Sequence, residues 1–98
     1  MNYEITSTSI FDKWFKGLRD RTTRNKVLAR IDRIQNGNFG DFKPLGNDLF
    51  ELRFFFGDGL RIYYTIRNHQ IVLLLTGGSK SSQNRDIEKA RQILQELE

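Results

Sequence analysis

Residues 52–64, LRFFFGDGLRIYY, contain two aromatic-rich segments on either side of a Gly-Asp-Gly turn signal. In each segment an apolar set alternates with a second set that carries one arginine, which is the period of a β-strand with a buried face. The glycines of the turn can take a positive φ, so the segments are predicted to form a hairpin. Facing both apolar sets toward one core predicts the pairs Phe54–Ile62 and Phe56–Leu60.

The opposite face of this hairpin carries two arginines. In the predicted register Arg53 lies across from Tyr63 and Arg61 across from Phe55, so the arginines are diagonal neighbours about 7 to 8 Å apart. Two like charges at that distance repel each other unless an anion lies between them. The hairpin therefore indicates a site for an anion.

The rest of the chain supplies a first strand, two helices, a further strand and a closing helix. Helical spacing of apolar residues predicts helices over about residues 10–18 and 20–36, and a closing helix that starts near Ser82 to Asn84. Residues 1–6 are predicted to be extended and the Gly- and Pro-containing stretch 37–48 to be a loop. The basic residues of the second helix are predicted to form a solvated face: Arg21, Arg24, Arg30 and Arg33.

A tight turn at Asn68-His69 is predicted to precede QIVLLLT, residues 70–76, which is apolar on both faces and therefore central in its sheet. That turn pairs Tyr63 with Leu74 and Arg61 with Thr76. Lys80 leaves this strand just beyond Thr76, so it can reach the same patch as the arginines. The order of elements predicts an α+β fold.

Composition narrows the class of protein. The 98 residues carry a formal net charge of +4, from 16 Lys and Arg against 12 Asp and Glu, which favours a polyanion or an acidic protein as partner. With no cysteine and only one histidine, His69, we expect no metal site and no cofactor. The length predicts one domain over residues 1–98. Without a signal-peptide pattern or a long apolar run, a cytoplasmic protein with no membrane contact is expected.

Arg53, Arg61 and Lys80, with Tyr63 between them, are thus predicted to converge on an exposed sheet face, where they would hold a phosphodiester and offer a ring to a base. The alternative is a solvent-facing sheet whose long side chains cover Phe55 and Leu74. A phosphate-binding P-loop is excluded, because GxxxxGK[ST] is absent around Gly77–Lys80.

Several segments resemble one family of bacterial toxins. FELR (50–53), GDGLRIYY (57–64), IVLLLTGGSKSSQ (71–83) and DIEKA (86–90) are similar to the RelE/ParE toxin superfamily, and most closely to its HigB-like group, known as addiction module killer proteins. The resemblance covers nearly the whole chain. It implies a RelE-like β-α-α-β-β-β-α fold, in which helices pack on one face of an antiparallel sheet.

The resemblance also implies a function: the toxin of a type II toxin–antitoxin system, neutralised by a cognate antitoxin, often of helix-turn-helix type. RelE-like members are mRNA interferases, which bind the ribosome and cut mRNA by metal-independent attack of a ribose 2′-OH on the adjacent phosphate, so that translation is inhibited. Carried over to this chain, Arg61 steadies the phosphorane transition state, and Arg53 and Lys80 are further catalytic cations. The residues expected to bind RNA are Tyr63, Arg67 and Gln83.

The chain departs from the family pattern at two places. Glu51 stands where some members have a basic residue, and the C-terminal QELE lacks a tyrosine that some relatives use. Glu51 points to the arginine face, so it is the candidate general base, with charge balance for Arg53 as its alternative role. Two other functions stay open: ParE-like inhibition of DNA gyrase, and an inert module that only binds an antitoxin.

Overall fold

The computed structural model describes residues 2–97, in which three helices pack on an open five-stranded sheet. The strands are β1 (Glu4–Ser7), β2 (Phe42–Gly46), β3 (Leu49–Arg53), β4 (Arg61–Arg67) and β5 (Ile71–Gly78). The helices are α1 (Ser9–Lys16), α2 (Arg21–Gln35) and α3 (Gln83–Glu96), the last preceded by a 3-10 turn at Lys80–Ser82. The predicted α+β class and the positions of the helices are confirmed. No helix in this part of the chain is long and apolar enough to span a membrane.

Two details of the sheet differ from the sequence prediction. The strand order is β1-β5-β4-β3-β2, and β1 pairs parallel with β5, so one edge of the sheet is not antiparallel. The predicted loop 37–48 contains β2, which is an edge strand and therefore tolerates Pro44, whose missing N–H is needed only in a central strand. Asn47 and Asp48 both have positive φ and make the two-residue turn into β3.

Both faces of the sheet are covered, which corrects the prediction of helices on one face only. Helices α1 and α2 pack on the face that presents Leu52, Ile62 and Tyr64. Helix α3 packs on the other face, where its buried residues Ala90, Ile93 and Leu94 cover Leu49, Tyr63 and Leu75. The reason is that β4 and β5 have bulky apolar residues on both faces, and leaving the second set in water would cost burial energy.

The hairpin β3–β4 forms, but its register differs from the predicted one by two residues. Leu52 pairs with Ile62 and Arg53 pairs with Arg61, while Phe54 N donates to Leu60 O at 3.0 Å. A shift of two residues keeps every side chain on its predicted face, because the side-chain period of a strand is two. The arginines are therefore direct cross-strand neighbours, and residues 54–60 form a longer loop than predicted.

The turn between β4 and β5 also includes one more residue than predicted. Asn68 and His69 take positive φ, as expected for a tight turn, and Gln70 N donates to Arg67 O at 3.1 Å. A bulge at Leu75 adds a further offset, so that Tyr63 pairs with Thr76 and Arg61 with Gly78. The bulge brings the end of β5, and with it Lys80, alongside Arg61.

Candidate functional site

Four buried polar atoms without a hydrogen-bond partner lie together on β3 and β4. They are Glu51 Oε1, Arg53 Nε, Arg61 Nε and Tyr63 Oη, and no other buried side-chain nitrogen or oxygen of residues 2–97 lacks a partner. Glu51 pairs across the strands with Tyr63, and Arg53 with Arg61, so the four side chains form a square on one face. Buried polar atoms are normally hydrogen-bonded, so their concentration here marks a functional candidate rather than a stabilising core.

Glu51 is the anion between the two arginines. Its side chain is 1 % exposed, and its Oε1 lies 3.6 Å from Arg61 Nε and 3.9 Å from Arg53 Nε. Both distances suit ion pairing but exceed ordinary hydrogen-bond lengths. The second carboxylate oxygen, Oε2, accepts a 3.0 Å hydrogen bond from Gln83 Nε2 on α3. One carboxylate thus offsets part of the charge of two guanidinium groups, and the square remains cationic.

Arg61 is held in place by the loop that precedes it. Its Nη1 donates to Gly59 O at 2.9 Å, and its side chain is largely buried. Gly59 has a φ of +71°, and a Cβ at this position would lie 3.1 Å from Lys80 Cβ and 3.3 Å from Arg61 Nη1. Only glycine gives both the backbone conformation and the space that this close approach requires.

Lys80 lies on the same side of the cluster. The Lys80 backbone N–H donates to Asp58 O at 3.1 Å, which ties the 54–60 loop to the start of the 3-10 turn. Arg53, Arg61 and Lys80 line an open cleft of about 680 Å³ together with this loop. The three predicted catalytic cations therefore do line one cleft, in which Lys80 is exposed and Arg53 is 38 % exposed.

Tyr63 and Arg67 lie elsewhere than expected. Tyr63 is completely buried beneath α3, so its ring cannot stack on a base in this conformation. Arg67 is at the opposite end of β4 from Arg61, six residues or about 20 Å along the strand. Gln83 does contact the cluster, but through Glu51. No sequence pattern indicates that α3 covers this face, because the apolar residues of β5 fit a central strand with either face packed.

The burial of Tyr63 has a consequence for stability at high pH. Burial, and secondarily the charges of Glu51 and Asp86, raise the pKa of the Tyr63 hydroxyl well above its ordinary value of 10.0, and burial does the same for Tyr64. The folded state thus binds these protons more tightly than the unfolded state does. These two tyrosines leave the free energy of unfolding unchanged below about pH 10 and lower it at higher pH, by up to about 1.4 kcal/mol per pH unit for each tyrosine.

We expect this loss to appear as a fall in the melting temperature between pH 9 and pH 11. Tyr63→Phe removes one of the two hydroxyls, so its melting temperature should fall less over the same interval. Thermal unfolding followed by circular dichroism at both pH values measures the difference. Identical decreases in the two proteins would mean that the Tyr63 hydroxyl is not shielded from ionisation in the folded state.

Arg30 of α2 is buried, so the prediction that it lies on a solvated face is wrong. Arg30 is 8 % exposed, and its guanidinium donates to three backbone carbonyls: Phe39 O at 3.0 Å, Asp41 O at 2.6 Å and Arg53 O at 3.0 Å. Burial lowers the pKa of Arg30, although a guanidinium remains charged. The sequence does contain an indication of this burial. Arg30 follows Val27 by three residues and precedes Ile34 by four, which places it on the apolar stripe of α2.

The sequence itself shows the family. Residues 13–98 match the model of the family described as Phage derived protein Gp49-like (DUF891). The chain belongs to this Gp49-like family. A relative, an uncharacterized protein of Haemophilus influenzae, is 43 % identical over 97 residues, which are 99 % of this chain and 98 % of the relative.

Solved structures show the fold of this Gp49-like protein. The free E. coli toxin RelE, in a doubly substituted form, matches with a TM-score of 0.74 at 17 % identity, over 95 % of this chain and 99 % of RelE. The toxin–antitoxin complex RelBE2 of Mycobacterium tuberculosis matches with a TM-score of 0.63 at 20 % identity, over 82 % of this chain and 100 % of the matched chain. The E. coli RelBE toxin–antitoxin complex matches with a TM-score of 0.62 at 17 % identity, over 79 % of this chain and 95 % of the matched chain. The RelE-like fold that the sequence predicted is confirmed.

Proposed function

We propose that this Gp49-like protein is the toxin of a type II toxin–antitoxin pair and that it acts as an endoribonuclease on ribosome-bound mRNA. The fold supports the first part, because two of the similar structures are toxin–antitoxin complexes and a third is a free toxin. An antitoxin is therefore the partner that we infer. The cationic cleft supports the second part, and Arg61 held between Glu51 and Gly59 is the observation that carries it.

The cleft suits phosphodiester cleavage by an internal nucleophile. The ribose 2′-hydroxyl gives its proton to solvent and its oxygen attacks the adjacent phosphorus. The bond from phosphorus to the 5′-oxygen breaks, and the departing oxygen takes a proton from solvent, so that a cyclic phosphate and a 5′-hydroxyl result. Negative charge accumulates on the phosphorane oxygens, and cations already aimed at those oxygens lower the barrier without reorganisation. Arg61 and Arg53 would contact the phosphorane, and Lys80, the exposed cation of the same cleft, would be free to approach the departing oxygen.

Glu51 takes part as a positioning residue in this proposal. A general base must come within hydrogen-bond reach of the 2′-hydroxyl. The Glu51 carboxylate is almost fully buried and is already engaged with Arg61 and Gln83. Its alternative role, charge balance for the arginines, therefore fits the geometry better than the role of base.

Mapping of mRNA 5′ ends after a brief induction of the protein in bacteria tests the proposal. We expect new ends in translated regions, at a recurring position within codons, together with an arrest of protein synthesis. An uninduced culture, and an induced culture that also makes the antitoxin, are the controls. Intact transcripts with a DNA-damage response would favour inhibition of gyrase instead, and a culture that grows normally would favour an inert antitoxin-binding module.

A further inference from the structure

Phe55 is a large apolar side chain placed in water beside the cationic cleft. It is 79 % exposed, whereas the next most exposed large apolar side chain among residues 2–97, Leu28, is 51 % exposed. Its neighbours Phe54 and Phe56 pack against each other edge to face, with ring centroids 5.8 Å apart, and belong to the core. The two packed neighbours anchor the backbone on either side of Phe55, so its ring is an exposed platform next to the core.

The platform stands between two clefts. The first is the cleft of Arg61 and Lys80, and the second, of about 330 Å³, lies along α2. Both clefts share the lining residues Arg53 and 54–56, so one continuous path runs over Phe55. The Arg53 guanidinium carbon lies 5.9 Å from the centroid of the Phe55 ring, which places a cation beside the platform.

The second cleft has its own exposed cations. Lys26 and Arg33 line it from α2, seven residues or about 10 Å apart along the helix. Lys26 Nζ lies 4.3 Å from the centroid of the Phe56 ring, next to the platform. Arg30 also lines the cleft, but its guanidinium is occupied by backbone carbonyls. Asp41 is the one acidic lining residue, 3.9 Å from Arg53 Nε.

We propose that the second cleft is a subsite for the nucleotides flanking the scissile phosphate, with one base stacked on Phe55 and the backbone phosphates beside Lys26 and Arg33. A flat apolar ring next to cations suits a single-stranded nucleic acid, since every base has a face that can stack and every nucleotide a charge. The subsite rests on the proposed function. It places the stacking residue in the 54–60 loop rather than at the buried Tyr63.

Binding of a short single-stranded RNA, made uncleavable by 2′-O-methylation and labelled with a fluorophore, tests the subsite on the full-length protein. We expect Phe55→Ala to weaken binding on the order of tenfold and Phe55→Tyr to bind within about twofold of wild type, because the ring is what stacks. Lys26→Gln combined with Arg33→Gln should reduce the slope of log K against log salt by about 1.4, or 0.7 per lost phosphate contact.

Two controls lie on the opposite side of α2. Leu28→Ala removes an exposed apolar side chain, and Arg21→Gln an exposed charge, and neither residue lines the second cleft. Both variants should bind RNA as wild type does. The subsite is overturned if wild type does not bind the RNA at low salt, if Phe55→Ala binds like wild type, or if the controls weaken binding equally.

Parallel mapping of mRNA ends separates the subsite from the proposed function. If the wild-type protein binds RNA through Phe55 but makes no cuts, the nuclease assignment fails and the subsite stands. If the wild-type protein cuts mRNA and the Phe55 and α2 variants bind and cut equally well, the subsite fails and the nuclease stands. If those variants lose only affinity for the antitoxin, the second cleft binds that protein instead, and the subsite is overturned.

Discussion

Arg61→Ala is expected to abolish growth arrest and to lower the rate of mRNA cleavage by about 10²- to 10³-fold. The reason is that a cation fixed in advance near the developing phosphorane charge typically contributes that much to the rate. Arg61→Lys keeps the charge but loses the planar fork that can hold two phosphate oxygens. Its cleavage rate should therefore lie between those of the wild-type and Arg61→Ala proteins. Cleavage of mRNA on purified ribosomes, with each protein confirmed as folded by circular dichroism, is the measurement.

Arg67→Ala is the matched control, because Arg67 is on the same strand and the same face but about 20 Å away. We expect it to cleave mRNA at the wild-type rate. Equal damage from both alanine variants would mean that the RNA contact extends along the whole strand. A folded Arg61→Ala protein that cuts mRNA normally would refute the assignment of this cleft as the nuclease site.

Arg30→Ala is expected to have the largest effect on stability, a loss of about 5 kcal/mol. The substitution removes three charge-assisted hydrogen bonds, each typically worth about 1.5 to 3 kcal/mol, and leaves three carbonyls without their donor. For a chain of this size the melting temperature should fall on the order of 20 °C. Equilibrium unfolding in urea gives the free energy, and a thermal scan gives the midpoint.

The control for Arg30 is Arg33→Ala, one helical turn further along α2, where the side chain is exposed. Exposed arginines contribute little to folding, so its melting temperature should stay within a few degrees of wild type, since a change of about 0.5 kcal/mol is typical. If the two variants unfold at the same temperature, the three hydrogen bonds of Arg30 do not hold the 39–41 segment and β3 against α2 in solution.

The sequence was sufficient to predict the features that follow from periodicity. Alternation of apolar residues placed Arg53 and Arg61 on one face, and a register error of two residues left that result unchanged. Periodicity could not predict the bulge at Leu75, because an extra residue in a strand has no signature in an apolar run. Periodicity could not predict the face that α3 covers either, because β5 is apolar on both faces and fits a central strand with either face packed.

The environments of single residues were harder to predict than the elements that carry them. The sequence groups Arg30 with the other basic residues of α2 on a predicted solvated face, and only the structure shows the three carbonyls that pair with it. Long side chains cover Phe55 only in the alternative interpretation of the sequence, and the structure places it outward on the 54–60 loop. Residue type predicts an average environment, whereas these positions depend on the path of the 39–41 and 54–60 segments.

The ion pairs of Glu51 have a consequence for how quickly the protein can act. With the carboxylate 3.6 Å from Arg61 Nε, the guanidinium group is already oriented before any substrate arrives. Under the proposed function, no assembly of the cleft needs to precede the chemistry, so the encounter with RNA, rather than a rearrangement of Arg61, would set the pace of the reaction.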